Sequence, residues 1–234
     1  MQNDSLGDRI KKNYEDRYRI GLTRKTPVII RVDGKAFHTL TRTLPKPFSE
    51  VFINDMAVAA LETAKQIQGC KLAYVQSDEA SFLLTDYDDL VTEAWFDYNL
   101  QKIVSVTASI MTIEFNKRFL GDYGRFDARA FNIPKEEVAN YFLWRAKDWE
   151  RNSLQMYARA FFSHKELNNM GHDQIHEMLH SVGKNWTTDL NDQLKNGTFL
   201  QKNEKGFVTR IDIQSDYQSI ALLVEPYVWD KEDV

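Results

Sequence analysis

Residues 27–34 read PVIIRVDG and residues 71–85 read KLAYVQSDEASFLLT. The first is a β-branched run closed by Asp33-Gly34, the composition of a strand running into a turn. The second holds two apolar segments, 71–76 and 80–85, joined by Ser77-Asp78-Glu79, which predicts two strands with a tight hairpin-like connection. Between them, Val51, Phe52, Met56, Ala59, Ala60 and Ile67 recur at helical spacing, with Ser49 as N-cap and Gly69 as stop. A further helix is predicted over about 90–119, with Trp95, Phe96, Leu100, Ile103, Val104, Thr107, Ile110 and Met111 on its apolar side, followed by a strand at 126–133. The order strand, helix, strand, strand, helix, strand is the βαββαβ pattern of an α+β, ferredoxin-like fold.

Working outward, the spacing predicts helices at about 135–161 and 172–182 and a C-terminal hairpin of 198–203 and 207–213 around Glu204-Lys205-Gly206, with a frayed tail beyond. Nothing in the sequence reads as a repeat or a flexible linker, so residues 1–234 are expected to form one domain.

The pattern has a geometric consequence. An antiparallel sheet in the order 4-1-3-2 puts the end of the first strand beside the turn joining the second and third, so Asp33 meets Asp78 and Glu79. Two aspartates on neighbouring strand ends, with the Gly34 carbonyl, offer the hard oxygen ligands that Mg²⁺ prefers. Two such ions activate an attacking hydroxyl and steady leaving phosphate oxygens, the chemistry of phosphoryl or nucleotidyl transfer. The amides of Lys35, Ala36, Phe37 and His38 follow as a possible phosphate cradle. The same acids also suit an ordinary solvated turn, and the residues alone leave both readings open.

Composition narrows the partners. Apolar residues at 43% and charged residues at 27% are ordinary for a globular chain, and a formal net charge of −4 gives no basic field, so nucleic acid would have to meet local patches such as Arg9/Lys11/Lys12, Arg24/Lys25 or Arg42/Lys46. A single cysteine, Cys70, excludes an intrachain disulfide framework. The stretch MQNDSLGDRIKKNYEDRY lacks a signal-peptide-like apolar core, and no long apolar run follows, so a soluble, cytoplasmic protein without membrane contact is expected.

Seven ordered segments carry a resemblance: RVDGKAFH (31–38), KPF (46–48), YVQSDEASF (74–82), QKIVSVTAS (101–109), FDAR (126–129), YFLWRAKDWERNS (141–153) and GKNW (183–186). The chain resembles the tRNA-histidine guanylyltransferases and their guanylyltransferase-like relatives, enzymes that extend RNA in the 3′-to-5′ direction. The resemblance implies a polymerase-type palm at about 26–135 with a helical and C-terminal elaboration at about 136–215. It implies two magnesium ions held by Asp33, Asp78 and the Gly34 carbonyl, with Glu79 as an adjacent essential acid. GTP or another nucleoside triphosphate and ATP would be substrates, tRNA the partner, and the assembly a homotetramer. By motif position, His38 and Lys46 would lie at the nucleotide during activation, Ser77 and Lys102 at triphosphate oxygens, and Asn152 on the nucleotide, with Arg129, Arg145, Asp148 and Asn185 as further RNA or nucleotide contacts. Arg145, Asp148 and Asn152 share one face of their helix. Where the family has His-x-Asn-Asn this chain has Glu150, Asn152 and Ser153, which suits the branch associated with template-dependent repair of truncated tRNA 5′ ends more than strict histidine-tRNA guanylylation.

Two other readings compete. A nucleotide cyclase would use the same paired aspartates and magnesium but gives the WRAKDWERN and GKNW segments no reason to match. Residues 176–180, HEMLH, match the HExxH pattern of zinc hydrolases, in which His176 and His180 would bind zinc and Glu177 act as base. The longer pattern's third histidine falls on Trp186, so no zinc is expected.

Overall fold

The computed structural model describes residues 5–89, 91–121 and 123–229. The first four residues and the last five, at the two ends discussed above, lie outside this set. In chain order the elements are α1 (Leu6–Ile10), β1 (Val28–Gly34), α2 (Phe37–Leu40), α3 (Glu50–Gln66), β2 (Cys70–Gln76), β3 (Glu79–Leu84), α4 (Leu100–Asn116), β4 (Phe126–Asn132) and α5 (Val138–Ala158). Then follow α6 (His164–Leu167), α7 (His172–Ser181), α8 (Trp186–Asp189), α9 (Asp192–Asn196), β5 (Thr198–Asn203), β6 (Gly206–Arg210) and α10 (Tyr217–Val228). This is a mixed α+β fold around one six-stranded sheet, β4-β1-β3-β2-β5-β6, with every neighbouring pair antiparallel.

The first four strands stand in the order 4-1-3-2. Their side chains alternate between two covered faces, as the two-residue period of a strand requires. Val28, Ile30, Val32, Phe82 and Leu84 pack with Met56 and Ala60 of α3 and Ile103, Met111 and Phe115 of α4. Ile29, Leu72, Tyr74 and Leu83 pack on the other face with Val138 and Phe142 of α5 and Ile220, Leu223 and Val224 of α10. Helix α3 starts where the sequence predicted, with the Ser49 hydroxyl accepting from the Phe52 amide at 3.4 Å, and the chain turns at Gly69 with φ +79°.

Three expectations are corrected. The helix predicted over 90–119 is broken: Phe96, Asp97 and Tyr98 all have positive φ, at 51°, 50° and 52°, and α4 begins only at Leu100 under an Asn99 cap. The break is held from outside, because the Leu22 amide donates to the Tyr98 carbonyl and the Leu100 amide to the Ile20 carbonyl, both at 2.9 Å. The C-terminal hairpin is present as β5 and β6 and extends the central sheet through β2. Its second strand covers 206–210 in place of 207–213. The tail expected to fray forms α10, whose Ile220, Leu223, Val224 and Val228 are at most 4% exposed. Burying such side chains is worth roughly 1.5–3 kcal/mol each, enough to outweigh end fraying.

Candidate active site

The site is built between the sheet and α5, along a gradient from apolar to charged. Ile29, Arg31 and Asp33 alternate onto one face of β1, and Leu83, Ser81 and Glu79 onto the same face of β3, since the strands pair Ile29 with Leu83, Arg31 with Ser81 and Asp33 with Glu79. Helix α5 lies over this face and answers each level. Phe142 packs in the cluster with Ile29 and Leu83. The Tyr141 and Ser81 hydroxyls share a hydrogen bond of 2.8 Å. Arg145 then meets Glu79, its Nε donating to Oε1 at 2.7 Å and its Nη2 to Oε2 at 3.0 Å. At the open end stand Asp33 and Asp78, as the strand order required.

Asp33 and Asp78 come from adjacent strand ends that are stitched by the Gly34 amide donating to the Asp78 carbonyl at 3.0 Å. Among the described residues neither carboxylate has a cationic partner within ion-pair distance, whereas Glu79 has Arg145 and, at 4.0 Å, Arg31. Burial pushes the Asp78 carboxyl above its ordinary range, and the like charge of Asp33 pushes it further; hydrogen bonds from its own backbone amide and Ser77 and the nearby His38 pull back. Burial also raises Glu79, against the pull of Arg145 and Arg31. Two close carboxylates with no protein cation are a donor set that a divalent metal would satisfy. No three His, Cys, Asp or Glu side chains among the described residues are placed to hold a metal, so a third donor here would come from backbone or substrate.

The acids open onto a cleft of about 350 Å³ whose other wall is α5. Asp148, Asn152, Gln155 and Arg159 line it, continuing the face on which Arg145 lies. A smaller pocket of about 70 Å³, lined by Lys46, Pro47, Phe48 and Phe52, adjoins it through the shared residues Ser77, Trp149 and Met156. Asp33, Ser77, Asp78, Glu79, Arg145, Asp148 and Asn152 are thus brought together, with Lys46 next door.

Other sequence-derived candidates fall elsewhere. The Phe37 side chain is core, 3% exposed, and its ring packs on Phe52, Phe115 and Phe126. That ring explains Gly34, because a Cβ there would come within 2.4 Å of Phe37 Cδ2. Lys35, Ala36 and His38 are exposed around the start of α2, with Ala36 at φ 58°. Lys102 lies in the first turn of α4, its ammonium 5.8 Å from the Phe96 ring, and Arg129 pairs with Asp127 on the edge strand β4. Asn185 caps α8 by accepting from the Thr187 amide. None of these four regions lines the cleft.

Sequence reasoning missed Gln76, Trp149, Gln155, Met156 and Arg159. Extending the Arg145, Asp148, Asn152 stripe by further helical steps would have found Gln155 and Arg159. It also left open the replacements at Glu150 and Ser153. Ser153 is fully buried and lies off the cleft: its hydroxyl donates to the Leu194 carbonyl at 2.7 Å and accepts from the Trp186 indole at 3.1 Å, tying α5 to α8 and α9. Glu150 pairs with Lys147 at 2.8 Å.

On α7 the HEMLH segment stacks His176 between His172 and His180 and edge-on to Trp186 at 5.9 Å. Burial and the two flanking histidines hold the His176 imidazole below its ordinary range.

Unpaired carboxylates on adjacent strand ends, facing a cleft of amide, hydroxyl and guanidinium groups, are the equipment of a nucleotidyltransferase. Known proteins agree. The tRNAHis guanylyltransferase family matches residues 8–134, and the chain belongs to that family. A solved bacterial tRNA(His) guanylyltransferase-like protein in complex with ATP superposes with a TM-score of 0.91 at 38% identity, covering 97% of this chain and 100% of its own. A second such protein, in complex with GTP, superposes with a TM-score of 0.82 at 35% identity over the same shares. The tRNA(His) guanylyltransferase of Schizosaccharomyces pombe is 33% identical over 153 residues, 61% of this chain and 56% of its own. The chain spans about half the length of such curated relatives: the match to the probable enzyme of Dictyostelium discoideum covers 52% of it. No helix among the described residues is long and apolar enough to cross a membrane.

Proposed function

We propose that this chain adds nucleotides to the 5′ end of tRNA in the 3′-to-5′ direction, as template-dependent 5′-end repair or as guanylate addition to histidine tRNA. The observation that carries the reading is the pair of carboxylates, Asp33 and Asp78, that stand without an ion-pair partner among the described residues at the mouth of the polar cleft. The order β1-α3-β2-β3-α4-β4 is read here as a polymerase-type palm, with the acids at its catalytic edge.

Two magnesium ions held by Asp33, Asp78 and the Gly34 carbonyl would supply charge neutralisation at the reacting phosphate and lower the pKa of the attacking hydroxyl. The chain's own part is to bind and orient. Asp33 stands on β1, in register with Glu79 of β3, and Asp78 lies in the tight turn just before β3 with its carbonyl held by the Gly34 amide at 3.0 Å, so backbone hydrogen bonds fix where the two acids stand. Ser77, whose φ of 47° turns the chain sharply before Asp78, lines both the cleft and the adjoining pocket and so stands between acids and Lys46. The Lys46 ammonium, now donating to the Thr41 carbonyl at 3.2 Å, can swing to a triphosphate. Asn152 on α5 and Arg159 at its C-cap present donors across the cleft for a nucleotide or an RNA 5′ end. The reaction balances as a displacement: the incoming nucleotide's 3′-oxygen bonds to the 5′ α-phosphorus, and pyrophosphate leaves from a triphosphate end or AMP from an adenylylated one. The ATP and GTP bound by the bacterial relatives are the matching substrates, and a homotetramer would let one subunit grip tRNA while another does the chemistry.

The test is to incubate purified protein with Mg²⁺, ATP, labelled GTP and a tRNA lacking its 5′ nucleotide, carrying either a 5′-monophosphate or a 5′-triphosphate. Label is expected at the 5′ end and absent with Asp78→Ala. Protein that leaves both tRNA ends unlabelled would overturn the reading.

A further inference from the structure

Glu79 directly follows a proposed metal ligand and pairs in register with the other, Asp33. On sequence alone it belongs with them as a third acid. The structure gives it different company. Both of its oxygens accept from Arg145, the arrangement in which a guanidinium matches a carboxylate most fully. The two side chains are 8% and 10% exposed, so the pair is shielded from water. The Trp144 ring lies over the same guanidinium at 4.4 Å. Arg145 Nη2 reaches further to Asp148 Oδ2 at 3.1 Å, and Asp148 in turn accepts from Arg151 and, at 3.4 Å, from Asn152. The chain of contacts therefore runs from β3, through one arginine, to the α5 residues that line the cleft.

We propose that Arg145 is a positioning residue: it withdraws Glu79 from the metal-binding set, leaving Asp33 and Asp78 as the two cleft acids that no cation among the described residues pairs with, and through Asp148 it sets Asn152 toward the substrate. This rests on the reading of Asp33 and Asp78 as a magnesium site. Geometry supports the assignment in two ways. Arg145 occupies both Glu79 oxygens, so a metal can recruit that carboxylate only by breaking two charge-assisted hydrogen bonds. Arg31, the second cation, has its Nε buried without a hydrogen-bond partner and 4.0 Å from Glu79, so among the described residues Arg145 is the one cation that hydrogen-bonds the carboxylate, beside the neutral Gln76 amide donating to Oε1 at 3.5 Å.

The experiment is a titration of the wild type and of Arg145→Met, Glu79→Gln and the double variant with MgCl₂ alone, read as the rise in melting temperature and its half-saturating concentration. Arg145→Met frees a carboxylate beside the pair, so the half-saturating Mg²⁺ concentration should fall about tenfold, a modest response to one added charge a few ångströms away. The double variant should return to the wild-type value although it too lacks the ion pair, which a purely structural role for Arg145 would not produce. Glu79→Gln leaves the arginine charge in excess and should raise the value, and it serves if Arg145→Met does not fold. In the 5′-addition assay, Arg145→Met should also raise KM for the nucleotide through a misplaced Asn152. A wild-type response that Arg145→Met or Glu79→Gln leaves unchanged, or a double variant that keeps the single variant's shift, overturns this proposal alone. A wild type with no Mg²⁺ response, indistinguishable from Asp33→Asn, overturns the metal reading and this proposal with it.

Discussion

The acidic mouth of the cleft and the ion-paired layer beneath it are built from adjacent residues of one turn. In the layer beneath, Glu79 is held by Arg145 in a shielded, two-bond contact. At the mouth, Asp78 faces Asp33 with no ion-pair partner among the described residues, and its carboxyl is pushed up by burial and by that like charge. The lower layer is complete within the chain and serves as foundation. The upper layer is complete only when something positively charged arrives, and the difference marks where the chemistry is. Buried ion pairs contribute little net stability yet are costly to break one-sidedly, while an uncompensated acid pair is a cost that folding alone would not retain.

Four substitutions probe this contrast, in descending size of effect. Asp78→Ala should reduce 5′-addition by at least about a thousandfold, the loss of several kcal/mol of transition-state stabilisation, with the folded state intact by circular dichroism. An activity loss matched by unfolding would remove the distinction between the two layers. Glu79→Ala strips Arg145 of its bidentate partner and leaves it only Asp148, and should destabilise the fold by about 3 kcal/mol in urea denaturation. If it proves as harmless to folding as Asp78→Ala, the lower layer is no foundation. Gly34→Ala drives a methyl into the Phe37 ring and should cost about 1–3 kcal/mol, shifting Asp33 with it. That variant is checked by melting temperature and by Mg²⁺ response together.

The smallest effect is a gain. Asp78 has a raised folded pKa, so its ionised form is disfavoured by folding: the penalty is absent below the unfolded carboxylate pKa of about 4, grows as pH rises toward the folded pKa, and is complete above it. Asp78→Asn should therefore raise the melting temperature of metal-free protein at neutral pH, with the gain vanishing as pH falls through the carboxylate range. A gain that persists at pH 3 would have another cause.

Much of this was legible in the sequence because it is local. PVIIRVDG and the SDE turn are short patterns whose strand and turn chemistry is strong, and the strand order then forces Asp33 onto Asp78. What escaped reading depends on packing between distant segments. The break at 96–98 is invisible because Trp95, Phe96 and Tyr98 keep the apolar rhythm without a glycine, and the chain is held in its left-handed turn by residues 20–22. Phe37 reads as part of a phosphate-binding loop, yet its ring fills the core under Gly34. Arg145 reads as a candidate nucleotide or RNA contact and does line the cleft, but nothing in its own helix reveals its pairing with Glu79. Helix α10 had its spacing in plain view, at Ile220, Leu223, Val224 and Val228, but its partner surface exists only once β2 and α5 are in place.

The proposed chemistry requires Asp33 and Asp78 to hold the metal that carries the nucleotide. The most direct test is calorimetric titration of GTP into wild-type protein and into Asp33→Asn/Asp78→Asn, each with Mg²⁺ and with EDTA. Mg²⁺ is expected to strengthen GTP binding to the wild type and to make no difference to the double variant. A double variant that keeps the wild type's full Mg²⁺ dependence would contradict that chemistry.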